Sequence, residues 1–405
     1  MSSYAGVFSN RSFSLFYAGQ ALSFAGDGLR LIAIPLLVFH LTGSALSIGI
    51  TYALELGPFA LFGLVGGSLA DRVDRRRLMI VCDFVRFAVL SIFALGYAFG
   101  FLNLWLLYTG IATISIAAAI FVGSQSSTIP YLLGKDQATK AYSALLAAEQ
   151  TTQMILPPIG GALFALIGPL PALAANAFTY LCSQLSIMAV DTFGPDEPGR
   201  IPSPRMVVAD VRLGFRFLMG DLALRTVALN SLVFNFFGFV CAAVFIPFLI
   251  HDFGASDATV GVSLGVGAFG ALIGSWASGH VPRSWKFGQV MIVAYALDGL
   301  LFIPVMITHN LIVAVAFLAM TNGVVLFEIA QIIGWRIRIT PEEMVGRVSS
   351  AARLIALFGT VPGAILGGWL GDHYGPRTPI VVSGIGYLVM ALLVGLYPVM
   401  RREAR

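Results

Sequence analysis

Residues 66–80 read GGSLADRVDRRRLMI, and Asp71 to Arg77 put six charges into seven positions of a chain in which 11% of residues are charged. On either side the sequence is almost continuously apolar. Of its 405 residues 58% are hydrophobic, and the mean hydropathy is +0.88. That is more apolar surface than one soluble core of this length can bury. A bilayer-spanning helix needs about 20 mainly apolar residues. Such runs lie at 13–40, 45–70, 78–101, 104–131, 141–168, 170–190, 222–250, 257–281, 287–308, 310–334, 347–371 and 378–400. The charged stretch is thus a loop between the second and third of twelve spans in an all-α integral membrane protein.

Positive residues set the orientation, because cytoplasmic loops carry the Lys and Arg excess. Arg11, the 72–77 cluster, Lys135, Lys140, Arg200, Arg205, Arg212, Arg216, Arg225, Arg283, Lys286, Arg336, Arg338, Arg347, Arg353 and the tail arginines fall on one set of alternate loops, with Arg377 opposite. Both termini are therefore expected in the cytoplasm of a bacterial cell, with the chain in its plasma membrane. The net charge of +4 reflects topology, and no nucleic-acid partner is implied. The first apolar run is too long for a signal-peptide core and lacks an A-x-A-like cleavage site, so it reads as a retained helix. Cys82, Cys182 and Cys241 are dispersed, which argues against a disulfide framework or a metal site.

The chain also repeats internally. IGGALFALIGPLPAL (159–173) aligns with LGGWLGDHYGPRTPI (366–380), matching Gly160/Gly367, Gly161/Gly368, Leu163/Leu370, Gly168/Gly375 and Pro169/Pro376. A weaker match sets FHLTGSALSIGI (39–50) over IHDFGASDATVGV (250–262). Six spans fall in each half, so the expected division is 1–190 and 222–400, a pseudo-symmetric pair with a site near the midplane between them. Residues 191–221 form a cytoplasmic linker whose second part reads as an interfacial helix, and 401–405 a basic tail.

With these features in place, the opening stretch resembles the loop 2–3 signature G-x-L-a-D-R-x-G-R-R of the major facilitator superfamily, with Asp74 in place of the second glycine. The D-R-x-D-R-R variant resembles the branch of macrolide and multidrug exporters and enterobactin-exporter-like proteins. The resemblance implies the twelve-helix fold and a cytoplasmic gate, in which Asp71 meets the start of span 11, where Arg347 and Arg353 are the partners at hand. A carboxylate at a helix N-terminus with Arg forks nearby offers about 1–2 kcal/mol of conformation-dependent contact. Arg72, Arg75, Arg76 and the pair Asp83 and Arg86 are expected to support that gate. LPPIGG (156–161) is similar to the G-P-x-x-G-G of antiporters, with Leu156 in place of the first glycine. The arginine of the family's drug–proton signature has no counterpart in 109–125.

Ionisable residues inside spans are costly and mark pathways. Asp27 and Arg30 lie mid-span in the first helix, and Glu55 at similar depth in the second, so these three are the expected proton-coupling group, with a static ion pair as the alternative. Glu149 and Gln153 share one helical face, as do Glu328 and Gln331, and each pair can line a cavity for a cationic substrate. Phe24, Gln125, Asn230, Asn235, Phe236 and Trp335 lie on spans that line the centre of this fold, giving an apolar, aromatic wall suited to amphipathic molecules.

No phosphate loop, H-E-x-x-H, Cys/His spacing or G-x-S-x-G is present, so enzyme chemistry, metals and cofactors are not expected. Without an ATP site, transport must draw on gradients. The sequence thus reads as a monomeric secondary transporter in membrane lipid, exporting lipophilic or cationic drug-like compounds against protons. Its alternatives are a dedicated exporter of a siderophore or other endogenous metabolite and a non-transporting receptor or scaffold.

Overall fold

The computed structural model describes residues 5–70, 73–190, 204–282 and 284–396, and no strand occurs among them. The first helices in chain order are α1 (Ala5–Phe8), α2 (Arg11–Thr42), α3 (Ala45–Ala70), α4 (Arg75–Ala98), α5 (Leu104–Leu133), α6 (Lys135–Ile167), α7 (Pro169–Met188) and α8 (Pro204–Gly220). There follow α9 (Leu222–Ala242), α10 (Phe245–Phe253), α11 (Asp257–Ser278), α12 (Phe287–Ile307), α13 (Leu311–Ile339), α14 (Val345–Tyr374) and α15 (Arg377–Leu396). Among the described residues, ten helical segments are long and apolar enough to cross a membrane. Helices α6 and α7 match the expected fifth and sixth spans in length but carry Glu149, Gln150, Gln153, Asn176 and Gln184, which make them more polar. The expected span 222–250 is two helices, interrupted at Ala243 and Val244. Asp71, Arg72, most of the Pro-rich linker and the basic tail lie outside the described residues.

The chain forms two compact units. The first comprises Met1–Leu41, Leu54–Val207 and Asp257–Val262, and the second Thr42–Ala53, Val208–Ser256 and Ser263–Arg405. In the first, α4 packs against α7 and α5. A core of Phe13, Phe16, Met79, Phe121, Leu145 and Ile187 closes one end of it. Residues 257–262 join this unit because the backbones of α6 and α11 touch at Gly161 and Gly261, where a Cβ on either would sit 2.5 or 2.7 Å from the other's Cα. His40 Nε2 also lies 2.9 Å from Asp257 Oδ1.

In the second unit α9 packs against α14, and α12 against α15. Gly359, Gly363 and Gly367 repeat every four residues along α14, and a Cβ on each would fall 2.1–2.3 Å from a backbone carbonyl of α9. Small residues at this spacing let helices meet backbone to backbone. Residues 42–53 join this unit because Asp372 near the end of α14 caps α3. Its carboxylate accepts from the Ser44 hydroxyl (2.5 Å) and the Ala45 (2.6 Å) and Leu46 (3.2 Å) N–H groups. The same unit engages Arg377, which donates to Asp252 at 2.5 Å and to the Thr308 carbonyl at 2.9 Å. Helix α8 docks through Gly214 on the Arg347 backbone and through buried Leu218.

The internal repeat recurs in the backbone. Gly168 and Gly375 end α6 and α14 at φ +79° and +84°, and Gly43 and Gly254 sit at +63° and +62°. These are conformations that favour glycine.

Candidate functional site

Asp27 and Arg30 are one turn apart on α2, and the guanidinium faces two carboxylates. Arg30 Nη1 donates to Glu55 Oε1 of α3 at 2.7 Å, and its Nε stands 3.5 Å from Asp27 Oδ1. Tyr180 of α7 donates its hydroxyl to Asp27 Oδ1 at 2.6 Å. The three charged side chains keep 12–27% of their surface, so they sit in a half-buried pocket with one more negative charge than positive. Glycines on both sides of Asp27 make the approach feasible. A Cβ at Gly26 would fall 2.5 Å from Asn176 Oδ1 of α7, and one at Gly28 would fall 2.8 Å from the Thr152 carbonyl of α6.

A chain of polar side chains crosses the same unit. Gln125 of α5 donates to Gln20 of α2 (2.9 Å), Gln20 donates to Ser183 of α7 (3.0 Å), and Ser183 donates to Asp83 of α4 (2.7 Å). Asp83 is ion-paired with Arg86. The Arg86 guanidinium lies 4.4 Å from the ring centres of both Phe121 and Tyr180, and Tyr180 leads back to Asp27. All members of this chain are buried. Sequence reading had singled out Asp83, Arg86 and Gln125 but missed Gln20, Ser183 and Tyr180. Their signal was spacing: Gln20 lies two turns before Asp27, and Ser183 one turn after Tyr180.

The loop before α4 is partly described. Asp74 is the N-cap of α4, accepting from the Arg76 (2.9 Å) and Arg77 (3.3 Å) N–H groups. The residue that departs from the family's glycine therefore satisfies helix donors. Arg75 lies over the Tyr131 ring at 4.6 Å, and Arg76 donates to the Met188 carbonyl. Asp71 and Arg72 lie outside the described residues. In the second unit, Arg347 and Arg353 have exposed side chains on the first turns of α14.

The expected substrate residues are scattered within each unit. Phe24 is half-buried and packs against the first unit's core. Gln153 Nε2 is 3.3 Å from Glu149 Oε1, one turn away on α6. Asn230 is half-buried, Asn235 donates to the Ser231 carbonyl (2.8 Å), and Phe236 meets Phe237 edge to face at 5.2 Å. Trp335 stacks on Phe287 of α12 at 4.6 Å. Gln331 donates to the Ser278 carbonyl of α11 at 2.7 Å. Glu328 is fully buried, and neither of its carboxylate oxygens has a hydrogen-bond partner among the described residues.

The model of the transmembrane secretion effector family, a branch of the major facilitator superfamily, matches residues 1–405. The chain belongs to this family. The transporter is similar to the enterobactin exporter EntS of Escherichia coli O1:K1, 26% identical over 420 residues that cover 97% of this chain and 93% of that protein. The enterobactin exporter of Shigella boydii serotype 18 matches to the same extent. Its fold is shared by a bacterial homologue of the human lysosomal transporter Spinster in an inward-facing, unoccupied conformation (TM-score 0.77, 15% identity, 99% of this chain and 98% of that one). The nucleoside transporter NupG (0.76, 13%, 97% and 100%) and a bacterial homologue of the iron transporter ferroportin (0.70, 16%, 96% and 100%) share it as well. The transporter is thus a multi-pass membrane protein of the major facilitator fold, and its relatives are transporters rather than enzymes.

Proposed function

We propose that the transporter exports amphipathic, drug-like molecules across a bacterial plasma membrane by alternating access, exchanging them for protons. The observation that carries this reading is the sharing of Arg30 by Asp27 and Glu55. One guanidinium cannot neutralise both carboxylates. A rearrangement that moves α2 along α3 changes which carboxylate Arg30 serves, and the one released takes up a proton from one side of the membrane. Tyr180 and the buried chain to Asp83 and Arg86 tie this exchange to the base of the 71–77 loop. The likeness of the 66–77 stretch to the family's loop signature supports Asp71 as a cytoplasmic gating residue. The positive loops support cytoplasmic termini, and the protein acts as a monomer in lipid.

A second reading, export of a siderophore or similar endogenous metabolite, is supported by the enterobactin exporters, which align over nearly the whole chain. Proteoliposomes with an entrapped pH indicator test both. A panel of lipophilic cations, macrolides and siderophores is added to wild type, Asp27→Asn, Glu55→Gln and Asp71→Asn. Substrate-driven proton movement that is lost in Asp27→Asn or Glu55→Gln while the substrate still binds supports antiport through this cluster. Transport that stays coupled in both variants refutes it, and the substrate that moves protons distinguishes the two readings.

A further inference from the structure

The second unit holds two carboxylates that no counter-charge among the described residues explains. Asp298 of α12 and Glu328 of α13 both have 0% exposure. None of their four carboxylate oxygens has a hydrogen-bond partner among the described residues. Glu328 lies within electrostatic reach of Asp298. Asp83, equally buried, has Arg86 and Ser183, and Asp27 and Glu55 have Arg30. The groups that face the second pair are Tyr295 on α12, Tyr387 on α15 and, beside Asp298, Cys241 on α9. The Tyr295 hydroxyl has no hydrogen-bond partner among the described residues, and that of Tyr387 donates to the Phe234 carbonyl at 3.4 Å. None of these neighbours supplies a positive charge.

A cavity of about 310 Å³ opens onto Asp298, and its wall also includes Ser263, Asn322, Cys241 and Tyr52. No Lys, Arg or His lines it. Two ionised carboxylates within electrostatic reach of each other and without hydrogen-bond donors repel each other and lose solvation. Such a pair persists when a single positive charge sits between or beside its members. We propose that Asp298 and Glu328 form a binding site for one monovalent cation within the second unit. The occupant is a proton, an alkali cation or the charged head of an organic cation. This site does not depend on antiport through Arg30, and it stands if that reading fails.

Thermal unfolding of the purified transporter tests it. The midpoint is followed from acid to alkaline pH, with sodium chloride against choline chloride, and with tetraphenylphosphonium, for wild type and for Asp298→Asn/Glu328→Gln. Occupancy of the site stabilises the folded state by mass action. At least one of the three cations therefore raises the wild-type midpoint, and that increase is lost in the double variant. The cation that does so identifies the occupant. A wild-type midpoint indifferent to all three, or a double variant that keeps the full response, overturns the proposal. Should the double variant fail to fold, labelling of the wild type by a hydrophobic carbodiimide decides. Modification of Asp298 or Glu328 that falls as pH rises, or that sodium or tetraphenylphosphonium blocks, supports the site. Absence of labelling at acid pH, or labelling that none of these conditions changes, overturns it.

Discussion

Replacing Arg30 with Met keeps the length of the side chain and removes the charge that Asp27 and Glu55 share. Breaking a fully buried ion pair costs about 3–5 kcal/mol, because the remaining charge is left uncompensated. Here the three side chains retain 12–27% exposure, so water offsets part of the loss, and the lower end, about 3 kcal/mol, applies. For a chain of 405 residues that corresponds to a fall in Tm of roughly 3–4 °C. The assay is thermal unfolding in one detergent of wild type, Arg30→Met, and Arg30→Met combined with Asp27→Asn and Glu55→Gln. The triple variant has no charges left to repel, and most of the lost stability should return, which a mutant cycle quantifies. A triple variant as unstable as Arg30→Met would refute the reasoning, because the cost would then be packing rather than charge.

Tyr180→Phe removes the hydroxyl that donates to Asp27 at 2.6 Å but keeps the ring against Arg86. A loss of about 1.5–3 kcal/mol is expected, read as a lower unfolding midpoint that Asp27→Asn largely masks. Asp372→Ala uncaps α3 and should cost about 1–2 kcal/mol, seen as faster proteolysis or hydrogen exchange at residues 42–53. Gly363→Leu drives a side chain into the Phe236 carbonyl, 2.3 Å from the added Cβ. That overpacking costs at least about 1–3 kcal/mol and should cut the yield of folded protein. Gly334→Ala, where nothing lies within 4 Å, should be neutral or slightly stabilising in the same expression test.

Much of the architecture was legible because a bilayer imposes a strong local rule: backbone polar groups must be satisfied within each span, and apolar length then reveals the helices. The repeat was legible for a related reason, since Gly168 and Gly375 are needed wherever a helix ends at positive φ. The pairing of Asp27 with Arg30 followed from helical spacing alone. Glu55 was assigned to the cluster by depth, a measure that does not specify a rotational face. Tyr180, 153 residues from Asp27, and the link from Gln125 through Gln20 and Ser183 to Asp83 depend on which helix neighbours which, and local sequence does not encode that.

The amino-acid order alone thus determined the membrane environment, the helices, the doubled plan and the charged loop, because each rests on hydropathy or spacing within one segment. Tertiary structure decided which buried charges are answered. Asp83 and Glu328 are alike as acidic residues within apolar spans, yet one meets Arg86 and a serine hydroxyl while the other meets no donor among the described residues. The difference arises because a charge inside a membrane protein is compensated through space, by side chains that packing brings from distant parts of the chain.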